Sequence, residues 1–266
     1  MIPKIIHYCW FGNNEKSEKV QSCMDTWKTI LPDYEFKEWN EKDLDLLKNF
    51  FYVDEAYKAK KWAFVSDVFR LYALKTMGGI YLDTDVEIKK TFDDLLNLDF
   101  FIGSERSKKN FNLGTAVIGA SKGNEIISDM LNEYKNRHFI KQDGTLDMTS
   151  NPIILGNLLT KYQISSDNYS NKEPYEFKKN SILFPYTFFC RETTLSYAVH
   201  HFEASWFDAY VLKKEFNVSF SKNFCFKILW YKQKNKKNKF ITPCNADKIL
   251  FEFNIKRYKF LIIKDI

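Results

Sequence analysis

Two aspartates separated by one residue, at the end of a short apolar run, constrain this chain more than any other feature. The stretch GGIYLDTDVE places Asp83 and Asp85 directly after Ile80, Tyr81 and Leu82, which follow the pair Gly78-Gly79. An apolar run bounded by glycines reads as a buried strand. Two ionised carboxylates this close repel, and they need water or a cation beside them. Oxygen ligands of this kind suit Mg²⁺ or Mn²⁺, ions that also bind phosphate oxygens. A divalent ion on a diphosphate neutralises a leaving group. Taken alone, D-x-D fits a solvated loop equally well, so its meaning rests on its neighbours.

Those neighbours form a helix. In AKKWAFVSDVFRLYALKTMGG, Phe64, Val68, Leu71, Ala73 and Leu74 supply an apolar face, and the glycine pair ends it. Asp67 and Arg70 stand three apart on that helix and share one side. An exposed pair of this type is worth only a few tenths of a kcal/mol. A carboxylate and a guanidinium presented together also suit a polyol ligand. The helix ends just before the D-x-D strand, so both pairs are expected to line one cleft.

The rest of the chain alternates strands and helices. PKIIHYCWF is a predicted first strand and residues 15–30 a helix, with Val20, Cys23, Met24, Trp27 and Ile30 on one face. PDYEFKEWN follows as a strand after a Pro-Asp turn, then a helix from Asp43 to Phe51. IYLDTDVEI reads as one strand, as do DFFIGSE and NLGTAVIGAS, with a helix over about 123–136. SILFPYTFF and YAVHHF read as strands or extended segments. This order predicts an α/β fold with a mainly parallel central sheet flanked by helices. Ligands in such sheets sit at the carboxyl ends of strands, where LDTD falls.

With 266 residues the chain has ample length for a core. It contains no apolar run of the roughly 18 residues that a membrane-spanning helix needs. The N-terminal MIPKIIHYCWFG lacks the apolar region of a signal peptide. The 5 cysteines form no C-x-x-C pair, which fits free buried thiols in a reducing compartment. A cytoplasmic location is the expectation. The net charge of +6 is uneven: residues 208–266 hold 14 Lys+Arg against 5 Asp+Glu, so the remainder is slightly acidic.

Four blocks carry a family resemblance: IPKIIHYCWFG, SCMDTWKTILPDYEFKEWN, AKKWAFVSDVFRLYALKTMGGIYLDTDVE and YAVHHFEASW. In this order, from residue 2 to 206, the chain resembles the D-x-D glycosyltransferase sugar-binding family. That family contains capsular-polysaccharide glycosyltransferases and yeast-type initiating mannosyltransferases, with the clostridial glucosylating toxins more distant. The resemblance implies a GT-A fold over residues 1–210 and a metal-dependent, retaining transfer from a nucleotide-sugar. It places Trp10 against the nucleotide base, and Asp67 and Arg70 on the donor sugar and phosphate. Tyr81 contacts the donor near the metal. Asp83 touches ribose and metal-bound water, and Asp85 ligates the metal. The implied cofactor is Mn²⁺ or Mg²⁺. A UDP-sugar is favoured as donor, with GDP-mannose the alternative, and a glycan or lipid-linked glycan is the acceptor.

The late block HHFEASW is the expected second half of the site. If extended, His200 and His201 point opposite ways, so one of them reaches the metal. His201 is favoured by analogy, with His200 and Glu203 as rivals. Ser205 and Trp206 match a loop that closes over the diphosphate. Asn112, in FNLGTAVIGA, faces the sugar or acceptor, or else is a turn residue.

Two other classes remain open on sequence grounds. YLDTDV also fits a haloacid-dehalogenase-type phosphohydrolase, in which the first aspartate is a nucleophile. That family carries the strand near its N-terminus, and its later Lys and paired-Asp motifs are missing here; Asp93-Asp94 comes too soon. A non-catalytic membrane-docking module is the second class. The basic, aromatic-rich extension 211–266 includes FCFKILWYKQKNKKNKF, and residues 226–239 suit an anionic membrane surface. No nucleic-acid partner is expected. The plainest alternative for this segment is a solvated basic face on a helical cap.

Overall fold

The computed structural model describes residues 1–105, 112–162 and 172–202, and the backbone of 210–221, 224–233, 249–255 and 258–264. It divides into two compact units, Met1–Glu203 and Ala204–Ile266.

The first unit starts with strand β1 (Ile5–Cys9) and helix α1 (Glu18–Ile30). The Ser17 hydroxyl caps α1 by accepting from the Val20 N–H, and Val20, Cys23 and Trp27 form its buried face. Strand β2 (Glu35–Trp39) follows the Pro-Asp turn. The single helix predicted from Asp43 to Phe51 is instead a 3₁₀ segment, Glu41–Leu47, followed by α2 (Phe51–Lys58). Asn40 and Asp43 exchange side-chain and backbone hydrogen bonds at its start, which favours the tight 3₁₀ turn.

Helix α3 (Trp62–Met77) is buried along most of its surface, including Phe64, Val65, Val68, Phe69, Leu71, Ala73 and Leu74. It ends at Gly78, whose φ is +70°, where a Cβ would lie 2.7 Å from the Lys122 backbone nitrogen. The stretch IYLDTDVEI is two strands: β3 (Gly79–Leu82) and β4 (Val86–Ile88). The Val86 N–H donates to the Asp83 carbonyl at 3.1 Å and closes a turn between them. The two aspartates thus stand on a bend that leaves the sheet.

Strands β5 (Phe100–Glu105) and β6 (Asn112–Ala120) lead to α4 (Glu125–Asn132) and α5 (Asn151–Leu159). Then come β7 (Tyr175–Lys178), β8 (Ser181–Phe184), the short α6 (Tyr186–Phe189) and β9 (Ala198–His200). Seven of these strands form one sheet in the order β2-β1-β3-β6-β5-β8-β7. β1 is parallel to β2 and β3, and β5 to β8, while β6 is antiparallel to both its neighbours and β7 to β8. All except β6 and the edge strand β7 therefore point the same way. β4 leaves this sheet and pairs antiparallel with β9.

The core occupies both faces of the sheet. Tyr81 and Phe100 pack on the helical side with Phe69, Leu74, Ile127, Tyr134 and Leu155. Their chain neighbours Leu82 and Phe101 pack on the other side with Trp27, Phe92, Phe189 and Tyr197. This is the alternation of a strand buried on both faces.

The second unit is an antiparallel sheet in the order β10-β11-β13-β12, where β10 is Tyr210–Ser221, β11 Phe224–Gln233, β12 Ile249–Ile255 and β13 Tyr258–Lys264. Its described residues form strands and not the helical cap considered above. Its Phe, Ile, Tyr, Trp and Val residues are strand formers, and they outweigh the lysines. Among the described residues no helix is long and apolar enough to cross a membrane.

His7 joins three parts of the first unit. It is fully buried on β1. Its Nε2 lies 2.8 Å from the Gly78 carbonyl, where α3 ends, and its Nδ1 accepts from the Trp39 indole N–H at 3.3 Å. An indole only donates, so Nδ1 carries no proton and the ring is neutral, donating through Nε2. Burial pushes its pKa from 6.5 down to about 4, opposed by the Gly78 carbonyl and reinforced by Lys37. The unfolded chain thus takes up a proton that the folded one refuses. Stability is complete above pH 6.5 and falls as pH drops towards 4. The loss from this group is about 3 kcal/mol. Urea unfolding at pH 7, 5.5 and 4 is expected to show this slope in the native protein and a flatter one in His7→Gln. Equal slopes would place the acid sensitivity elsewhere.

Candidate functional site

Helix α3 and strand β3 bring the two predicted pairs together through one guanidinium. Arg70 is 5% exposed. Its Nη2 lies 2.9 Å from Asp67 Oδ1 and 3.3 Å from Asp83 Oδ1. Its Nη1 donates to the Thr115 carbonyl at 2.7 Å and to Thr115 Oγ1 at 3.3 Å. Its plane lies over Tyr81, 4.5 Å from the ring centroid, and the Tyr81 hydroxyl donates to Asp83 Oδ1 at 3.1 Å. Arg70 is therefore occupied inside the protein, orienting two carboxylates.

Burial opposes these charges unequally. It pushes the Asp67 carboxyl up to about 6, against the pull of Arg70. Burial also opposes the charge on Arg70, and Asp83, Tyr81 and Asp67 outweigh it, so its pKa rises. The guanidinium stays charged at every pH at which the protein folds.

The D-x-D bend completes a ligand cluster. Asp83, Asp85 and His200 each offer an atom within 4.8 Å of the others. His200 arrives on β9, which pairs with β4 so that His200 stands opposite Val86. Its Nε2 lies 3.4 Å from Asp85 Oδ1, and its Nδ1 is buried with no hydrogen-bond partner. Burial works against a charged ring there, but Asp85, with Asp83 and Glu105 behind it, raises the pKa.

Two carboxylates and an imidazole with an unsatisfied buried nitrogen are a fitting donor set for Mn²⁺. Arg70 is shared between Asp67 and Asp83, while Asp85 lies beside His200. His201, the histidine favoured from the sequence, points elsewhere. Its Nε2 lies 2.9 Å from Glu87 Oε2 and 3.1 Å from Lys19 Nζ. The two histidines do point opposite ways, and His200 is the one beside the aspartates.

Trp10 follows β1, at its carboxyl end. Its indole N–H donates to the Asn14 carbonyl at 2.8 Å, and Lys16 Nζ lies 5.1 Å from the ring. Tyr81 is 1% exposed, beneath Arg70 and Asp83. Asn112 opens β6 and pairs with Glu105 of β5. Ser205, Trp206 and Glu203 lie outside the described residues.

Three contributors were not read from the sequence. Thr115 and Asn151 hold Arg70 and Asp67 from 45 and 84 residues away. Glu105, at the end of β5, is held above its ordinary pKa by burial and by Asp83, against His200. No local spacing announces such long-range partners.

Comparison with known proteins agrees with the motif reading. Residues 17–101 match the family described as "Glycosyltransferase sugar-binding region containing DXD motif". This is the family that the four blocks resemble. The chain is 32% identical over 156 residues to "Uncharacterized glycosyltransferase L373" of Acanthamoeba polyphaga mimivirus, covering 56% of this chain and 61% of that one. It is 31% identical over 136 residues to "Inositol phosphoceramide mannosyltransferase 3" of Schizosaccharomyces pombe, covering 47% and 35%. The chain thus spans less than two thirds of the length of either relative. A solved structure titled "PaToxG Glycosyltransferase" superposes with a TM-score of 0.44 at 23% identity, covering 60% of this chain and 69% of that one.

The histidine geometry gives a direct test. Titration of Mn²⁺, with free ion followed by electron paramagnetic resonance, is expected to show at least about tenfold weaker binding in His200→Ala. In His201→Ala, binding is expected to stay within about twofold of the native protein. Equal effects of the two substitutions would overturn the assignment of His200.

Proposed function

We propose that this chain, whose residues 17–101 match the D-x-D sugar-binding region, is a metal-dependent retaining glycosyltransferase that moves a hexose from a nucleotide-sugar. The observation that carries the reading is the convergence of Asp67 and Arg70 with Asp83, Asp85 and His200 at the carboxyl end of β3. The donor is a UDP-sugar in preference to GDP-mannose. The acceptor is a glycan or lipid-linked glycan of surface-polysaccharide synthesis. The GT-A description and retention of configuration follow the family resemblance.

Each residue then has a role. Asp83, Asp85 and His200 hold Mn²⁺ or Mg²⁺, which when bound neutralises charge on the departing nucleoside diphosphate. Asp67 accepts a hydrogen bond from a donor-sugar hydroxyl. Arg70 sets the orientation of Asp67 and Asp83 and offsets part of their charge. Trp10 offers a ring face to the base. The Asp83 Oδ1 atom is engaged by both Arg70 and Tyr81, which favours a binding role over that of a phosphohydrolase nucleophile.

The lysine-rich stretch beside β11 supports a further element of this reading. Lys232, Lys234, Lys236, Lys237 and Lys239 accompany Phe226, Ile228, Leu229, Trp230 and Tyr231. Basic residues near an anionic surface contribute about 1 kcal/mol each, and aromatics favour the headgroup region. Peripheral attachment at the cytoplasmic membrane face would bring the enzyme to lipid-linked acceptors.

A donor-hydrolysis screen with Mn²⁺ and a panel of UDP- and GDP-sugars is expected to single out one donor. Asp85→Asn is expected to abolish that turnover without unfolding the protein, because the amide keeps the size and shape of the carboxylate it replaces. A folded Asp85→Asn protein with normal turnover would defeat the metal role. Product NMR showing an inverted anomeric centre would defeat retention.

Co-sedimentation with anionic vesicles at low salt is expected to capture the native protein. Replacing the five lysines by glutamine should release it. Indifference to anionic vesicles would remove the membrane element and leave the transferase reading intact.

A further inference from the structure

Asp67 is held at both of its carboxylate oxygens. Arg70 Nη2 takes Oδ1 at 2.9 Å, and the Asn151 backbone N–H donates to Oδ2 at 3.4 Å. The Asn151 side chain adds a third tie, its Nδ2 donating to the Asp67 backbone carbonyl at 2.8 Å. Asn151 is itself fixed, because its Oδ1 accepts from the Tyr134 hydroxyl at 2.8 Å. Asn151 and Tyr134 are both fully buried, and Tyr134 packs edge-on against Tyr52 at 4.9 Å. Asn151 opens α5, so the amino end of that helix faces the carboxylate, an arrangement that favours the anion.

These contacts have a chemical consequence. An aspartate carboxylate tied at one oxygen can still turn about its last bond, and a tie on the second oxygen removes that rotation. A swinging carboxylate accepts a hydroxyl from several directions. A clamped one accepts along fixed lone-pair directions, and so separates an equatorial from an axial hydroxyl on the same sugar carbon. Sites that hydrogen-bond a hydroxyl discriminate strongly when the direction is fixed, because a misplaced group leaves buried polar atoms unpaired.

We propose that Asn151 is a positioning residue that sets which epimer of the donor sugar the site accepts: its side chain, tied to the Asp67 backbone carbonyl and to the Tyr134 hydroxyl, keeps its own backbone N–H seated on Asp67 Oδ2 and so fixes the rotation of that carboxylate. The inference rests on the donor-binding reading above and adds a specificity determinant to it. Asn151 acts through Asp67. The Tyr134 hydroxyl acts one step further back, through Asn151.

The test uses the full chain with Mn²⁺ and two donor pairs that differ at one carbon: UDP-glucose with UDP-galactose, and GDP-mannose with GDP-glucose. The readout is the kcat/KM ratio within the pair that the native protein turns over. Calorimetric Kd values for UDP and GDP are measured alongside. In Asn151→Ala the epimer ratio is expected to shrink by roughly tenfold, with nucleoside diphosphate binding within about twofold. Tyr134→Phe keeps the ring in the core and removes only the hydroxyl, so it guards against a folding defect in the first variant. It is expected to shrink the ratio by about threefold, and the double variant to add nothing beyond Asn151→Ala.

A folded variant with the native epimer ratio would overturn the inference and leave the transferase reading standing. Parallel loss of donor and nucleoside diphosphate binding would overturn it too, by making Asn151 a general support of the fold. A native protein that binds none of the four donors would remove the transferase reading and the inference together.

Discussion

The buried guanidinium of Arg70 decides where everything else in the first unit's site can stand. Taking a charge out of water is costly, and the cost is offset only if every donor finds an acceptor. Here Asp67, Asp83 and Thr115 supply those acceptors from a helix, a strand end and the neighbouring strand. Each partner is thereby fixed relative to the others. Removing the guanidinium would leave Asp67 buried with its charge uncompensated, a defect of about 3–5 kcal/mol by comparison with broken buried ion pairs. The same contacts tie α3 to β6, so architecture and chemistry share one set of hydrogen bonds.

The single reversed strand inside the sheet makes this arrangement possible. β6 runs against β3 and β5, so its early residues lie beside the carboxyl ends of its neighbours. Thr115 meets Arg70 there, and the Ala116 carbonyl accepts from the Asp83 N–H at 2.8 Å. That last bond extends the β3–β6 pairing just to the first aspartate, after which the chain bends away. In an all-parallel sheet the equivalent carbonyls would come from strand ends, with no continuing ladder to steady the bend.

The sequence made one half of the site readable and hid the other. The i, i+3 placement of Asp67 and Arg70 and the D-x-D after a glycine-bounded strand are local patterns, and local patterns survive as spacing. That the strand breaks at Asp83 was not legible, because Val86 and Ile88 continue the apolar alternation while pairing with a different strand. The opposed directions of His200 and His201 were readable from strand geometry. Which of them faces the aspartates depends on the register of β9 against β4, and pairing register has no local signature. Helix α5 went unread because NPIILGNLL is apolar nearly all round and shows no amphipathic period. Asn151 went with it. The mixed basic and aromatic tail supported several readings, of which its strands remove the helical cap.

The small ribbon formed by β4 and β9 lies outside the main sheet, joined to it through the bend at Asp83. Its two strands meet from positions 110 to 114 residues apart in the chain, so their pairing closes a long loop at a considerable cost in chain entropy. An ion shared by Asp83, Asp85 and His200 would act as a cross-link across that loop. Ligation and the pairing of β9 with β4 then become a single equilibrium, in which occupancy of the centre and closure of that loop stabilise each other.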